Sequence, residues 1–347
     1  MGQIYDKRDS TGAWTNYWGN AVSQNAIVVD GMSSAEKSGD FTKLTPWRWH
    51  SSTSFDFMET DVTGPYKGMD FRTDGLAYAE RKKRGELVDR PPVTDVTHRR
   101  QVHFLREAGC WVVTDRIHSV QPHDFTQSWC VGPEFSEKEV VVNSVGKSIC
   151  TQQASGPNLS LYQFGMPDLR YESHFGVRDD NRILGWVGIM SNQEKWMYTP
   201  AVAVHGNWRS EGDRTLVTLI VPRSAASERV RELADKSGEG VSGFDAVLPD
   251  GRPMSYRAAT NPAVLDAQGL KAEAESLLVI RHSDGGLSGI VLGSRIFNGQ
   301  PSPHTDFEFR MPNPTQPPQT TLITAPTGFC WSGSGINLAP GYTAPNH

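Results

Sequence analysis

A chain of 347 residues that is 21% charged and 10% aromatic, with 33 glycines, 22 prolines and 10 tryptophans, has enough apolar mass to form a core, and its composition excludes disorder throughout. The formal net charge of -5 gives no basic field for a phosphate backbone and excludes nucleic acid as a partner, so a polyanionic sugar would need a local basic patch. No run of about 18 apolar residues occurs and Met1–Ser10 is polar, which predicts neither a membrane span nor a signal peptide.

Trp14, Tyr17 and Trp18 come first, fit either for a core or for an exposed docking patch. The first predicted strand is Ala26–Asp30, closed by Asp30-Gly31, a turn signal because glycine supplies the positive φ of a tight reversal. In Trp47-Arg48-Trp49-His50, alternation along a strand puts both indoles on one face. They would serve as a sugar-stacking platform beside a cation, or as core rings. Ser54–Glu59 reads as a strand and Asp74-Gly75 as a turn. Arg81-Lys82-Lys83-Arg84, with Arg99-Arg100, would hold a polyanion by charge or form a solvated loop.

Strands are predicted at His98–Leu105, Cys110–Ile117, Phe125–Val131 and Leu216–Val221 from their length and their β-branched and aromatic content. Cys110-Trp111-Val112-Val113 is apolar on both faces, as in the middle of a thick sandwich. In Arg100–Phe104, Val102 and Phe104 share the predicted core side, while Gln101 and His103 share the predicted wet side. Four residues separate His98 from His103 and His118 from His123, which places the members of each pair on opposite faces and argues against shared metal ligation. Cys110, Cys130, Cys150 and Cys330 contain no C-x-x-C and allow three pairings or free thiols.

A helix is predicted over Ala226–Lys236, where Val230, Leu233 and Ala234 share a side and Ser227 caps the start. The Gly-rich Ser237–Gly243 follows it. Strands at Ser276–His282, Leu287–Ser294, Asp306–Met311 and Thr320–Ala325 then build a smaller β unit, with a loose tail from Asn337. The predicted fold is therefore all-β: a large antiparallel β-sandwich, or super-sandwich, over residues 1–225, then a short helix, a small β unit and the tail over 226–347.

Several segments resemble heparinase II/III-like polysaccharide lyases, a family that includes alginate lyases. Ser23-Gln24-Asn25-Ala26-Ile27-Val28-Val29-Asp30-Gly31 is similar to its "S-H-N-T-hydrophobic-V-V-D-G" strand. His98–Ile117 resembles its "H-x-R-x-V-x-F" and "V-V-x-D" pair, and His123–Trp129 its "H-x-F-x-Q-x-W" strand. Gly185-Trp186-Val187, Thr215–Pro222 and the Asp284-Gly285-Gly286 hairpin resemble later elements, so the match runs in order over most of residues 1–295. The resemblance implies cleavage of uronic-acid polysaccharides by β-elimination. In that chemistry Tyr or His serves as acid and base, and Asn, Arg or His neutralises the uronate so that C5 can lose its proton.

Family members place a helical toroid before the sandwich, and a first family-like strand at residue 26 leaves no space for one. A His that often ligates zinc is Gln24 in this chain, so no metal and no cofactor is expected. Tyr78, His98, His103 and Tyr171 are candidate catalytic side chains by residue type. Trp47, Arg48, Trp49, His50, Arg81, Lys82, Arg99 and Arg100 are candidate substrate-binding residues.

Three functions follow as expectations. The first is a sandwich that binds or helps degrade acidic polysaccharide and needs a toroid partner chain, or self-association, to complete its cleft. The second is a self-contained lyase with a site on an open sheet face, and the third a structural or interaction protein that reuses the sandwich. The resemblance favours a periplasmic or extracellular location, with any export signal lying outside this sequence.

Overall fold

The computed structural model describes residues 3–4, 17, 20–34, 48–63, 65–73, 83–86, 90–179, 182–190, 196–225, 230–313, 316–323, 329–332 and 335–338. Among them the named helical elements are two 3-10 turns, Ala21–Ser23 and Glu137–Glu139, and strands make up nearly everything else with regular structure. The all-β expectation holds. The first large sheet contains β1 (Ile27–Val29), β2 (Arg48–Ser51), β3 (Phe55–Thr63), β4 (Val96–Leu105), β5 (Cys110–Cys130), β6 (Val140–Asn143), β7 (Ser148–Thr151), β8 (Asn158–Phe164), β9 (Arg170–Phe175) and β10 (Val202–Arg223). The second contains β11 (Arg231–Asp235), β12 (Val241–Val247), β13 (Pro253–Ala267), β14 (Leu270–Arg281), β15 (Leu287–Leu292), β16 (Ile296–Phe297), β17 (Gln300–Pro301), β18 (Phe307–Met311) and β19 (Gln319–Leu322).

The first sheet runs β2-β3-β4-β5-β10-β8-β7-β6, with β1 also on β5 and β9 also on β10. The second runs β11-β12-β13-β14-β15-β18-β19, with β16 also on β14 and β17 on β16. All these pairings are antiparallel. Between the sheets, Phe55, Phe57, Leu105, Val112 and Val217 meet Phe244, Tyr256, Leu278 and Ile290. Phe164 stacks on Phe244 with ring centroids 4.8 Å apart. Burying one such side chain contributes about 1.5–3 kcal/mol, so this layer is the main source of cohesion.

β5 and β10 carry the architecture beyond the edge of the second sheet. Ile117 and Phe125 of β5 and Trp208 and Leu216 of β10 all join one core cluster under the N-terminal segments. The register shift between Ser210 and Gly212, where Gly212 takes φ +68, therefore leaves the inside-outside alternation of both strands intact. Consequently Arg116, Asp124 and Thr126 of β5 share the opposite face with His205, Asn207 and Arg209 of β10.

Two local expectations are corrected. Residues 231–235 of the predicted helix form β11, paired with β12 through an irregular register in which Glu232 takes φ +50. The spacing of Val230, Leu233 and Ala234 that suggests a helix is met by a bulged edge strand, with Val230 in the inter-sheet core and Leu233 packed against it. Residues 226–229 lie outside the described ones. On β4 the wet face is also reversed: Gln101 and His103 are fully buried towards the second sheet, and Val102 and Phe104 are half-buried outside. The inversion follows from the polar layer between the sheets, where Glu59 accepts a 2.5 Å hydrogen bond from Gln101. Tyr17 sits in its own core, 3% exposed, and its hydroxyl donates to the Trp186 carbonyl. Trp14 and Trp18 lie outside the described residues. Cys110, Cys130 and Cys150 are free thiols.

Candidate functional site

Of the residues singled out by sequence, Trp47, Tyr78, Arg81 and Lys82 lie outside the described ones. Arg48 ties the sheets together: its guanidinium donates to Glu59 (2.6 Å) on β3 and to Asp306 (3.0 Å) beside β18. His50, on the same face of β2, lies 3.0 Å from Glu308 of β18. Trp49 points the other way and is 51% exposed. Arg99 pairs with Asp61 at 2.6 Å.

His103 is fully buried between the rings of Phe57 and Tyr256, at 4.9 and 5.7 Å. Neither of its nitrogens has a hydrogen-bond partner. Burial, helped by the Arg116 and Arg48 charges, pushes its pKa down to about 3. A neutral imidazole locked in a core has no access to substrate.

His98 and Tyr171 are joined by a buried relay. His98 Nε2 lies 2.7 Å from Asp115 Oδ1, and Arg100 grips the same carboxylate through Nε (2.6 Å) and Nη2 (3.0 Å). Gln127 donates to Asp115 Oδ2 at 2.7 Å, Gln163 donates to Gln127, and the Tyr171 hydroxyl donates to Gln163 at 2.5 Å. Burial alone would raise the pKa of Asp115, but Arg100 and His98 hold it well below the usual carboxylate range. Burial pushes the Tyr171 phenol up. The relay spans four strands and fixes both rings, so these two candidates act first as structural members.

A larger opening was not anticipated. A cleft of about 620 Å3 lies on the face of β5, β10 and β9 that β5 and β10 extend past the second sheet, and its floor includes Thr126, His205, Asn207, Arg170 and His174. The register explains the assembly: Asn207 is opposite both Thr126 and Arg170, and His205 is opposite Glu172. Phe71 and Arg72 border the cleft from one loop, Arg182 and Leu184 from the short hairpin in which Ile183–Leu184 pairs with Val177–Arg178. Four guanidiniums (Arg72, Arg170, Arg182, Arg209) face three carboxylates (Asp124, Asp168, Glu172). Arg72 is tied to Asp70, Arg182 to Asp179 and Arg209 to Asp124. Among the described residues Arg170 has no ion pair.

The rings of His174 and His205 lie 4.7 Å apart. Burial pushes His205 down to about 3, with His174 adding to the shift, and burial also lowers His174. His205 is 1% exposed and its Nε2 has no partner. The arrangement offers cations and imidazoles, suited to carboxylates and hydroxyls. The signal was present as the alternating Arg170-x-Glu172-x-His174 and His205-x-Asn207-x-Arg209, polar on one face of two paired strands.

A second cleft of about 320 Å3 opens on the same face of β5, lined by His98, Arg99, Arg116, His118, Asp61 and Thr260, among others. Gln24 is an exposed residue at the end of the first 3-10 turn. No group of three potential metal-ligating side chains occurs among the described residues.

No family model and no curated protein matches the sequence. Solved structures do match: the heparan sulfate lyase HepC from Pedobacter heparinus aligns over 74% of this chain and 33% of its own, with a TM-score of 0.50 and 11% identity. A heparinase III gene product aligns over the same shares with a TM-score of 0.50 and 12% identity. The chain thus spans about a third of the length of these lyases. The likeness is one of fold, a distant structural relation to heparinase III-type lyases.

Proposed function

We propose that this sandwich binds acidic, uronate-containing polysaccharide in the cleft on β5, β10 and β9, within a polysaccharide-lyase system. The observation that carries the reading is the cleft itself: Arg170, free of ion pairs among the described residues, stands beside the unpartnered Nε2 of His205 on an open face of a lyase-like sandwich. Arg170 would hold a sugar carboxylate and the imidazoles would hydrogen-bond hydroxyls. Among the described residues no tyrosine joins these groups, since Tyr171 faces the other way into the relay. Cleavage therefore calls for an acid contributed from elsewhere, such as a toroid partner chain.

Calorimetry with alginate, heparan sulfate and chondroitin tests the proposal. Binding that Arg170→Ala weakens roughly tenfold, the loss of one charge-assisted contact, is the expected result. A chain that binds none of the three would end the reading. The neutral His174 and His205 pair favours one second reading, a self-contained lyase with His205 as the base. Growth of unsaturated-uronate absorbance with the pure chain would select it.

A further inference from the structure

The two clefts share a face. Thr126, Asn207 and Arg209 mark the larger one, and Arg116, opposite Thr215, marks the smaller. Because alternation survives the irregularity at Ser210 to Gly212, these side chains stand on one side of the β5 and β10 ribbon. At the facing ends of the two clefts that side carries the His118–Asp213 pair (2.7 Å), at the smaller, and the Arg209–Asp124 pair (2.9 Å), at the larger. These four side chains are 44–60% exposed, so the ribbon between the clefts is open to solvent.

The smaller cleft has its own mark of an anion site. Arg116 is 6% exposed, and its Nε and Nη2 donate to the carbonyls of Ala259 (2.7 Å) and Glu275 (2.9 Å). Its Nη1 has no partner, and no carboxylate among the described residues forms an ion pair with it. Its hydrogen bonds go only to neutral carbonyls, and Glu59 and Glu275 act on it through space alone, so a buried guanidinium with a free Nη1 gains from a directly bound anion. Arg99 adds a second cation at the rim, paired with Asp61 of the same lining at 2.6 Å.

Resting on the binding reading above, we propose that the two clefts are subsites of one linear track for an extended uronate oligosaccharide. Arg170 holds a carboxylate at one end, and Arg99 with Arg116 holds another at the far end. From Asn207 to Thr215 the strand advances about 27 Å at the usual rise per residue, the reach of an extended pentasaccharide or hexasaccharide. A chain that fills both subsites binds its second carboxylate at high effective concentration, so affinity rises steeply once the ligand spans the gap.

The test is calorimetry with size-fractionated alginate oligosaccharides, from disaccharide to octasaccharide, on the full chain and on Arg170→Ala, Arg99→Gln and His118→Glu variants. Affinity is expected to climb by at least about tenfold between the trisaccharide and the hexasaccharide. Arg170→Ala should weaken every length, whereas Arg99→Gln should weaken only the ligands that span. His118→Glu, an exposed change at the inner edge of the smaller cleft that leaves the core untouched, should do the same. Affinity that is flat beyond the disaccharide, or indifferent to Arg99→Gln and His118→Glu at every length, would overturn the track while leaving the larger cleft as a binding site. Absence of binding at every length, polymer included, would overturn both.

Discussion

His103 is the most informative residue to change, because it sits in the core as a cost. It is fully buried with two unpartnered ring nitrogens, and its pKa falls from 6.5 to about 3. A neutral His that cannot take up a proton when folded, although the unfolded chain can, leaves stability intact above the unfolded pKa of 6.5 and erodes it as pH falls from there towards about 3. At about pH 5 the erosion amounts to about 2 kcal/mol, being roughly 1.5 pH units at about 1.36 kcal/mol each. His103→Leu removes that term and the orphaned nitrogens, at the loss of ring contacts to Phe57 and Tyr256. Chemical denaturation of both proteins at about pH 7 and about pH 5 reads the difference. The wild type should lose more stability between the two conditions than His103→Leu does, by about 2 kcal/mol, whatever the offset at neutral pH. An identical loss in both proteins would show that His103 is not the acid-sensitive group and would refute the argument.

Three further outcomes follow from the same geometry. His123 has Nδ1 2.6 Å from Asp30 and Nε2 3.0 Å from Asp95; burial opposes its charge, but the two carboxylates outweigh it and raise the pKa. Its contribution is therefore fully present below the unfolded pKa and lost as pH rises through the folded one, opposite in sign to His103, and a proton-detected imidazole titration should place its midpoint above 6.5. Asp115→Ala leaves the half-buried Arg100 without its counter-charge and empties the centre of the relay, so thermal unfolding should report a loss of about 3 kcal/mol. Trp49→Ala, at an exposed edge-strand position outside both clefts, should change stability by less than about 0.5 kcal/mol and leave calorimetric glycan affinity unchanged.

The strands were legible because their signals are local. Ala26–Asp30, His98–Leu105 and Cys110–Ile117 announce themselves by alternation and by turn glycines, and each overlaps an observed strand. The segment at 231–235 misled because an edge strand with a bulge and a short amphipathic helix place apolar residues at the same spacings. The site was hidden for a different reason. Polar residues on a strand read as solvent-facing, and only the pairing register shows that Arg170, Asn207 and Thr126 are cross-strand neighbours.

Residue type is a weak guide for the same reason: His98, His103 and Tyr171 are all catalytic types, and all three are engaged in interior contacts, His98 while also lining the smaller cleft. A sandwich this thick needs polar groups inside it to satisfy one another, and histidine, tyrosine and arginine are the side chains long enough to reach across strands. On the stretch of β5 and β10 that outruns the second sheet, polar residues line the larger cleft, whereas Arg116 of the smaller one still bonds to the second sheet through Ala259 and Glu275. There the segments bearing Phe71 and Leu184, and not the second sheet, border those side chains, burying His205 while the larger cleft stays open beyond the sandwich edge.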